Sequence, residues 1–400
     1  MYRFKKEAMK VPAFIWQQKG AIEQGALDQI ATIASLPFAY HHVVLCPDGH
    51  LGYGMPIGGV LACDGYIIPN AVGVDIGCGM SAVKTSFKDE ISEVTLRKIM
   101  EVTRRVVPMG MGKNHKDPCP KESMPNLPHS DLVAQLINPA RYQLGTLGSG
   151  NHFLEFQRDE ENNLWIMIHS GSRKFGKSIC DHYNGIARDL NKRYFSTIDD
   201  KDELAFLSMD TVEGLSYFED MTYATDFAFR NRQKMMYETM EVVKNCVLKY
   251  EDKKVSFDNL TAEGMINIHH NYASLERHFG KNVYVHRKGA TRAYAGELGI
   301  IPGSQGSNSY IVEGLGNRES FMSCSHGAGR KMGRKAAQRE LDLAAEIKRM
   351  EDQGIIHGMR NVSDLDEATG AYKDIDTVMK EQEDLVSIKY KLRPIAVLKG

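Results

Sequence analysis

The first third of the chain alternates short apolar runs with turns rich in glycine. Apolar runs cover 42–46, 57–62 and 67–74, and turn residues such as glycine, proline or aspartate follow them. Runs bounded in this way are typical of short strands joined by tight loops. Between Ile91 and Val107 apolar residues recur at helical spacing, which predicts a helix. This part of the chain is therefore predicted to mix α and β structure.

Later segments continue the mixture. The apolar run at 164–168 has the continuous character of a buried strand, whereas 177–248 has apolar positions three or four residues apart and is predicted to be mostly helical. Strands are predicted again at 265–268 and 283–285, and a helix at 331–350 precedes a charged C-terminal segment. The predicted fold class is α+β (mixed α/β), with a central β core and surrounding helices.

Composition narrows the class of protein. Hydrophobic residues make up 42% of the 400 residues and charged residues 25%, which is ordinary for a globular protein. No stretch approaches the roughly 18 apolar residues that cross a bilayer, and the basic, polar start is unlike a signal peptide. We therefore expect a cytoplasmic protein with no membrane partner. Seven scattered cysteines without a Cys-x-x-Cys pair argue against a disulfide framework.

Net charge gives little guidance about partners. The formal charge is −1, so any nucleic acid would have to bind local clusters of arginine and lysine. Candidate ligands and nucleophiles, described next, lie between positions 75 and 326. A site that they share requires the chain to fold back on itself repeatedly, which predicts one catalytic domain over 1–400.

A carboxylate and a thiol lie three residues apart in the glycine-rich run VGVDIGCGM at 72–80. The glycines leave Asp75 and Cys78 open to close approach by a ligand. An oxygen donor beside a sulfur donor suits a borderline divalent ion such as manganese, iron, cobalt or zinc, and a thiolate can bridge two ions. Taken alone, the run is more simply a glycine turn that carries a buried cysteine.

Three histidines change that balance. His152 ends a Gly/Ser loop, His169 ends a predicted strand, and His270 lies in the His-His-Asn segment 269–271, where adjacent strand residues face opposite ways. Each histidine alone is more simply structural. Together at strand ends, beside the Asp/Cys pair, they favour a metal site, because neutral imidazole is the commonest partner of such ions.

His326 is the strongest candidate for a nucleophile. Small neighbours in SCSHGAGR at 323–330 leave its imidazole accessible. The Gly-Ala-Gly turn is predicted to open a helix that attracts phosphate and carries Arg330 and Arg334 on one face. Histidine can attack a phosphorus atom if another group orients it, and Asp48 is the candidate orienting residue. A solvated basic helix after a turn is the competing interpretation.

Two stretches rich in glycine and serine suggest a nucleotide pocket. Backbone amides at 145–155 can cradle phosphate oxygens, although the lysine motif of a P-loop is missing. The side chains there that suit polar contact or stacking are Asn151, Phe153 and Glu155. Hydroxyls and amides also cluster at 302–310. Lys399 is by itself more simply a solvated tail residue, and the proline-rich segment 113–129 is predicted to be an exposed loop, a candidate lid.

In this order the motifs resemble the RtcB family of RNA ligases, over nearly the whole chain. The matching motifs are VGVDIGCGM (72–80), GSGNHFLE (148–155), HSGSR (169–173), HHN (269–271), HRKGATRA (286–293), PGSQGSNSY (302–310), SHGAGR (325–330), AYKD (371–374) and the terminal Lys-Gly. Two departures accompany the match. Residues 47–50 read Pro-Asp-Gly-His, where the family leads us to expect valine or a similar residue at Gly49, and 109–139 follows no family pattern.

The resemblance implies a role for each matched position. The metal ligands would be Asp75, Cys78, His152, His169 and His270, with Cys78 bridging two manganese ions. The guanylylated residue would be His326. The guanosine-nucleotide contacts would be Asn151, Phe153, Glu155, Asn271, Ser304, Ser309, Tyr372 and Lys399, with Lys399 recognising guanine near a carboxylate such as Glu155. The basic residues that hold RNA phosphates or the triphosphate would be Arg173, Arg330 and Arg334.

The reaction implied is the joining of an RNA 3′-phosphate or 2′,3′-cyclic phosphate end to a 5′-hydroxyl end, with GTP and manganese, in RNA repair or tRNA splicing. His326 would take GMP from GTP and pass it to the RNA 3′-phosphate, and the 5′-hydroxyl would then displace GMP. The partner implied is RNA with such ends, and the family also accommodates an activating protein. The RNA itself stays open, because the variable loops would select it.

Two other functions compete with this interpretation. A metal-dependent phosphodiesterase or phosphatase acting on RNA ends would use the same ligands with water as the nucleophile, and it would form no covalent GMP. A catalytically silent RNA-binding protein would keep Arg330 and Arg334 but would not need the metal ligands.

Overall fold

Two large β-sheets carry the fold. The computed structural model describes residues 1–258 and 264–400. The strands are β1 (Tyr2–Phe4), β2 (Ala13–Ile15), β3 (Ala39–His50), β4 (Ile57–Cys63), β5 (Tyr66–Ile67), β6 (Gly79–Lys84), β7 (Phe153–Arg158), β8 (Leu164–Ser170), β9 (Leu207–Ser208), β10 (Ile266–His269), β11 (Asn271–His278), β12 (Lys281–Lys288), β13 (Ala290–Arg292), β14 (Leu298–Ile301), β15 (Ser309–Gly314), β16 (Ser323–Ser325) and β17 (Val386–Lys399). The α-helices are α1 (Gln24–Ser35), α2 (Pro69–Val72), α3 (Glu93–Val106), α4 (Asp131–Ala140), α5 (Arg173–Arg193), α6 (Val212–Glu251), α7 (Arg334–Glu340), α8 (Leu343–Glu351) and α9 (Ile375–Lys380).

The six-stranded sheet has the order β1-β2-β3-β4-β12-β11, with β2 and β3 parallel and the other neighbours antiparallel. The seven-stranded sheet has the order β10-β6-β8-β7-β17-β15-β14 and is antiparallel. Two small pairs, β13–β16 and β5–β9, accompany them. Strands and helices are interspersed along the chain, which confirms the predicted α+β class.

The chain passes from one large sheet to the other through a single residue. His270 is the one residue between β10, an edge strand of the seven-stranded sheet, and β11, an edge strand of the six-stranded sheet. Because the chain passes directly from one sheet to the other here, residues at the ends of strands in both sheets can reach one place. A predicted metal ligand thus marks the junction.

The 40-residue helix α6 forms much of the core beneath the seven-stranded sheet. Its Met235, Met236 and Val243 pack with Phe156 and Ile166 from β7 and β8 in one buried apolar cluster. This helix and α5 confirm the prediction that 177–248 is mostly helical. Within the described ranges, no helix, α6 included, is both long and apolar enough to cross a membrane.

Two sequence predictions for local structure are wrong. Instead of one strand over 67–74, the structure has the end of β5 and then α2, which Pro69 begins, because proline fits the first position of a helix. The predicted helix over 331–350 is divided into α7 and α8. Asp342 separates them, and its carboxylate accepts the Ala345 N–H at 2.7 Å as the cap of α8.

The turn after His326 also differs from the prediction. No helix opens at the Gly-Ala-Gly turn, since α7 begins only at Arg334. Arg330 instead forms a β-bridge with Tyr372. Arg330 and Arg334 therefore do not share a helical face, and the loop after His326 lies along the segment that carries Tyr372.

The charged C-terminal segment contains a strand that the sequence analysis did not predict, because charged residues interrupt its apolar positions. β17 lies inside the seven-stranded sheet, between β15 and β7. Its Leu392, Pro394 and Ala396 are buried, whereas Lys389 and Arg393 are exposed, so charged and buried positions alternate as in a half-covered strand. A bulge near Pro394 accommodates a residue without an N–H.

The region from 109 to 139 is mostly loop, as predicted for 113–129, with one 3₁₀ turn at Lys121–Ser123. It ends in α4, which the sequence did not predict. Ser130 caps α4, and its side chain accepts the Leu132 N–H. The lid role proposed for this loop stays a prediction.

Candidate active site

Strand register brings the predicted ligands to one end of the seven-stranded sheet. His169 of β8 pairs with the second residue of β6 and the first residue of β7. Cys78 directly precedes β6, and His152 directly precedes β7. His270 follows β10, whose last residue pairs with the first residue of β6. Because these strands are antiparallel neighbours in this register, the four side chains lie at the same end of the sheet.

The donor atoms of Asp75, Cys78, His152, His169 and His270, here called the metal cluster, lie close together. Cys78 Sγ is 3.4 Å from His152 Nε2 and 3.3 Å from His169 Nε2. His169 Nε2 is 3.4 Å from His270 Nε2, and Asp75 Oδ2 is 3.1 Å from His152 Nε2. The structure thus brings together all five residues that the sequence singled out, and four of them are buried.

Backbone carbonyls orient two of the imidazoles. The Nδ1–H of His152 donates to Leu147 O at 2.9 Å, and that of His169 donates to Asn151 O at 3.1 Å. These bonds fix the tautomer and turn each Nε2 lone pair toward Cys78, as in metal-binding histidines. His270 Nδ1 is buried and has no hydrogen-bond partner among the described residues.

The electrostatics of the metal cluster fit a divalent cation. Burial and the neighbouring imidazoles hold the pKa values of His169 and His270 well below their usual range, so both imidazoles are neutral. Burial opposes ionisation of Asp75, but its contact with the His152 imidazole and the charge of Arg173 bring its pKa down to about 2. Burial and the Asp75 charge raise the pKa of the Cys78 thiol well above its usual range. A bound cation would supply the charge that a thiolate needs there.

Two residues of α6 brace the loops of the metal cluster. Arg232, fully buried, donates to Gly77 O and Ser170 O, each at 2.9 Å, and to His269 Nδ1 at 3.0 Å. The side-chain oxygen of its neighbour Asn231 accepts the N–H groups of Gly145 and Thr146. The side-chain amide of Asn231 donates to Thr146 O and Gly171 O. The sequence analysis missed both, because nothing within a helix shows that a polar residue will be buried between distant loops. His269 thereby faces Arg232, away from the metal cluster, as its alternation with His270 suggested.

His326 packs against His270 of the metal cluster. The two rings are 4.8 Å apart at 69°. Asp48, which is fully buried, places Oδ2 2.6 Å from His326 Nδ1 and accepts the His326 backbone N–H at 3.1 Å. Burial opposes ionisation of Asp48, yet the charge and hydrogen bond of His326 lower its pKa. The carboxylate holds the Nδ1 proton, so Nε2 carries the lone pair.

Asn271 and Gly289 connect the metal cluster to His326. The Asn271 amide donates to Asp75 O at 3.2 Å, and its oxygen accepts the Gly289 N–H at 2.8 Å. Gly289 has φ +59°, and a Cβ there would lie 2.3 Å from Ile57 and 3.1 Å from the His326 ring. Only glycine permits this approach. The pairing of β13 with β16 brings the two loops together.

Glu155, Ser309 and Ser304 lie on segments that meet near the C-terminal strand. Gln157 Nε2 donates to Glu155 Oε2 at 2.7 Å and to Ser309 Oγ at 3.1 Å. Burial raises the pKa of Glu155 to about 8, although Gln157 and Lys399 act in the opposite direction. Ser304 Oγ is 2.9 Å from Ser307 Oγ. The loop 302–310, here called the serine loop, reaches the turn after His326, where the Ala328 N–H donates to Pro302 O at 3.0 Å.

Three further residues predicted to contact nucleotide or phosphate, Asn151, Phe153 and Arg173, differ in their burial and contacts. Phe153 is buried, with its ring 5.5 Å from that of His169, whereas the Asn151 side chain is exposed. Arg173 places Nη1 3.1 Å from His152 Nδ1 and covers Gly148, where a Cβ would overlap the guanidinium. Arg173 is thus adjacent to the metal cluster.

Arg330, Arg334, Tyr372 and Lys399 converge on Glu367, a residue that the sequence analysis missed. We call these five residues the Glu367 cluster. Lys399 Nζ is 3.8 Å from Glu367 Oε2, which makes Glu367 its ion-pair partner. Glu155 also interacts with the Lys399 charge, since Lys399 lies opposite Phe153, two residues away from Glu155 on the same strand.

The fold and this arrangement define the class of protein: a mixed α/β enzyme with a buried metal-binding centre beside an oriented histidine. A family model described as tRNA-splicing ligase RtcB matches residues 29–132 and 121–400. The chain belongs to the RtcB family.

Several relatives share nearly the full length of the chain. RNA-splicing ligase RtcB of Escherichia coli K12 is 38% identical over 409 residues, covering 97% of each chain. tRNA-splicing ligase RtcB of Thermococcus kodakarensis is 32% identical, covering 98% of this chain and 95% of the relative. tRNA-splicing ligase RtcB of Aeropyrum pernix is 31% identical, covering 99% and 96%.

Proposed function

We propose that this chain is a GTP-dependent RNA ligase that joins a 3′-phosphate or 2′,3′-cyclic phosphate end to a 5′-hydroxyl end, in RNA repair or tRNA splicing. The observation that carries the proposal is the position of His326, with Nδ1 held by Asp48 at 2.6 Å and the ring against His270 of the metal cluster. A hydrolase could use the same pair as a general base toward water, so formation of a covalent adduct is what distinguishes the two functions. Residues 1–400 would act as one catalytic domain, because contributions from both sheets and from the C-terminal strand meet at this site.

The metal cluster would hold manganese, with two ions sharing Cys78. Its donor set of one thiol, one carboxylate and three imidazoles suits this borderline ion. When bound, the ions would neutralise charge on phosphate oxygens.

His326 would be the nucleophile. Its Nε2 forms a bond to the α-phosphorus of GTP, the bond from that phosphorus to the β-phosphate oxygen breaks, and pyrophosphate leaves. The Nδ1 proton stays on His326, hydrogen-bonded to Asp48, and the Asp48 carboxylate stabilises the positive charge that the ring gains. The negative charge of the buried Asp48 carboxylate thus offsets the charge that attack through Nε2 creates.

Two further transfers complete the reaction. An oxygen of the RNA 3′-phosphate attacks the phosphorus of the histidine-bound GMP, and His326 Nε2 is released. The RNA 5′-hydroxyl then attacks the activated 3′-phosphate, and GMP leaves. A 2′,3′-cyclic end would first be hydrolysed to the 3′-phosphate.

Residues around the histidine would bind nucleotide and RNA. The proposed guanosine-nucleotide contacts are Asn151, Phe153, Glu155, Asn271, Ser304, Ser309, Tyr372 and Lys399. The proposed contacts with RNA phosphates or the triphosphate are Arg173, Arg330 and Arg334. The partial neutralisation of Arg330 and Arg334 by Glu367 supports a role in which they also order the pocket. We propose that the reaction takes place in the cytoplasm.

The test is incubation of the purified protein with manganese and GTP labelled on the α-phosphate, followed by a denaturing gel. We expect acid-labile, base-stable label on the wild type and none on His326→Ala. His182→Ala, which removes an exposed histidine of α5, is the matched control and should keep the label. No label on wild-type protein with manganese bound would favour the phosphodiesterase or phosphatase instead.

The same preparation tests the need for a partner. Labelled protein is mixed with RNA that has a 3′-phosphate and a 5′-hydroxyl end, and joined RNA is counted per enzyme. Repeated turnover by the chain alone would make an activating protein unnecessary, whereas a single turnover would indicate that one is required.

A further inference from the structure

Glu367 is a buried carboxylate at the meeting point of four segments. It ends the 3₁₀ segment Val362–Glu367, and its side chain is 4% exposed. The loop after His326, the Tyr372 segment, the C-terminal strand and the serine loop 302–310 all contact it. Each of these segments carries a residue that we propose to bind nucleotide or phosphate.

The side chain of Glu367 contacts three cations and one hydroxyl. Oε1 lies 3.3 Å from Arg330 Nη1 and 3.2 Å from Arg334 Nε. Oε2 accepts the hydroxyl proton of Tyr372 and lies 3.8 Å from Lys399 Nζ. Both oxygens are therefore fully engaged by groups from separate parts of the chain.

The backbone of the same segment holds the serine loop. Gln305 Nε2 donates to Glu367 O at 2.9 Å, and the Gly306 N–H donates to Thr369 Oγ1 at 3.1 Å. One residue thus fixes the loop through its carbonyl and the basic side chains through its carboxylate.

Arg330 behaves as part of the same framework. Besides its contact with Glu367, its Nε donates to Met332 O at 3.1 Å, Nη2 donates to Asp366 O, and the guanidinium carbon lies 5.0 Å from the centre of the Tyr372 ring. The Arg330 guanidinium therefore lies over the Tyr372 ring. Burial lowers the pKa of Lys399, and the charge of Glu367 acts against that effect.

We propose that Glu367 is a positioning residue for the guanosine nucleotide, an inference that rests on the proposed function. Because the Tyr372 hydroxyl proton is committed to Glu367, Tyr372 offers a nucleotide only an acceptor lone pair, while Lys399 offers N–H donors. An acceptor and a donor held at fixed places discriminate between bases whose edges differ in donors and acceptors. Glu367 thereby contributes to the choice of GTP over ATP.

The test is Glu367→Gln, which keeps the shape of the side chain but removes its charge. Adduct formation is measured against concentration for GTP and for ATP, each labelled on the α-phosphate. We expect the half-saturating GTP concentration to rise by about 10- to 100-fold, the range for loss of charged hydrogen bonds. The maximal rate should stay near that of the wild type, and the preference for GTP over ATP should fall.

Glu346→Gln is the matched control. Glu346 is also buried, binds the Gly370 N–H at 3.1 Å and pairs with Arg349, and none of its hydrogen bonds or ion pairs involves Tyr372, Lys399 or Arg330 among the described residues. A general loss of packing in this region would change both variants alike. We expect Glu346→Gln to keep the wild-type GTP dependence and nucleotide preference.

The outcomes separate this inference from the proposed function. A wild type that forms no adduct overturns both. A labelled wild type with an unchanged half-saturating concentration and nucleotide preference in Glu367→Gln overturns the positioning role alone. An equal fall of the maximal rate for both nucleotides, without a change in half-saturation, also overturns it.

Discussion

The metal cluster and the Glu367 cluster are joined by β7, since His152 precedes the strand and Phe153 pairs with Lys399, but they balance buried charge differently. In the metal cluster, a carboxylate, a thiol and neutral imidazoles turn their lone pairs toward one another. In the Glu367 cluster, a single carboxylate is surrounded by three cations and a hydroxyl.

This difference shows which region depends on a ligand. Lone pairs that face one another are stabilised by a cation, so the metal cluster is completed by something from outside the chain. The Glu367 cluster already contains its counterions, and we propose that it is ordered before a nucleotide binds. Such preorganisation reduces the cost of fixing side chains when a ligand binds.

The largest effect is expected from Asp48→Asn, which changes the hydrogen-bond partner of His326. The amide cannot hold the Nδ1 proton of His326 as a carboxylate does, so the wrong tautomer and lost charge should slow adduct formation by about 10³- to 10⁴-fold, as in other oriented histidines. Rapid-quench labelling measures the rate, and manganese binding should be unchanged. A rate near that of the wild type would show that Asp48 does not orient His326.

Manganese should stabilise the wild type but not Cys78→Ser. At free metal of about 100 times Kd, a ligand that binds only the folded state adds about 2.7 kcal/mol to the free energy of unfolding. Serine lacks the soft donor at the centre of the metal cluster. Thermal unfolding with and without manganese measures the difference. An equal shift in Cys78→Ser would place the ion elsewhere.

Gly171→Ala should weaken metal binding through Asp75. A Cβ at Gly171 would lie 2.3 Å from Asp75 Oδ1, so the carboxylate must move away from His152. We expect manganese affinity to fall by about 10- to 100-fold, as for other changes that misplace a ligand. Isothermal titration measures it.

Gly185→Ala is the control for that substitution. Gly185 lies in α5 with no atom within 4 Å of its Cβ position, so alanine should raise helix stability by about 0.5–1 kcal/mol without changing metal affinity. Equal affinities in Gly171→Ala and Gly185→Ala would contradict the proposed contact with Asp75.

The smallest effect concerns Glu155, whose pKa burial raises to about 8. Between about pH 4.5 and 8 the carboxyl is ionised in the unfolded chain but protonated in the folded one, so the wild type loses stability as pH rises through this window. Glu155→Gln lacks this titration. Its stability relative to the wild type should therefore increase from pH 5 to pH 8, by about 1 kcal/mol or more, in calorimetric scans. A constant difference would show that Glu155 is ionised in the folded protein.

Sequence reasoning succeeded where the signal was local. The run at 164–168 is a buried strand because continuous apolar character leaves few alternatives. Cys78, His152 and His169, whose donor atoms the structure groups closely enough to hold an ion, were recognisable from the sequence as donor types. It failed where local signals conflicted. Pro69 began a helix inside an apolar run, and charged residues concealed β17, because a strand that is exposed on one side tolerates charge at alternate positions.

The sequence by itself determined the chemical groups available to the proposed active site and their order along the chain: Asp48, a second carboxylate, a thiol, three imidazoles and the separate His326. Only the tertiary structure decided which polar residues would be buried among them. Arg232 and Glu367 are distant in sequence from most of the groups they bind, and burial between loops, which gives them their roles, is a property of the packed chain. Periodicity within one element carries no information about partners in another.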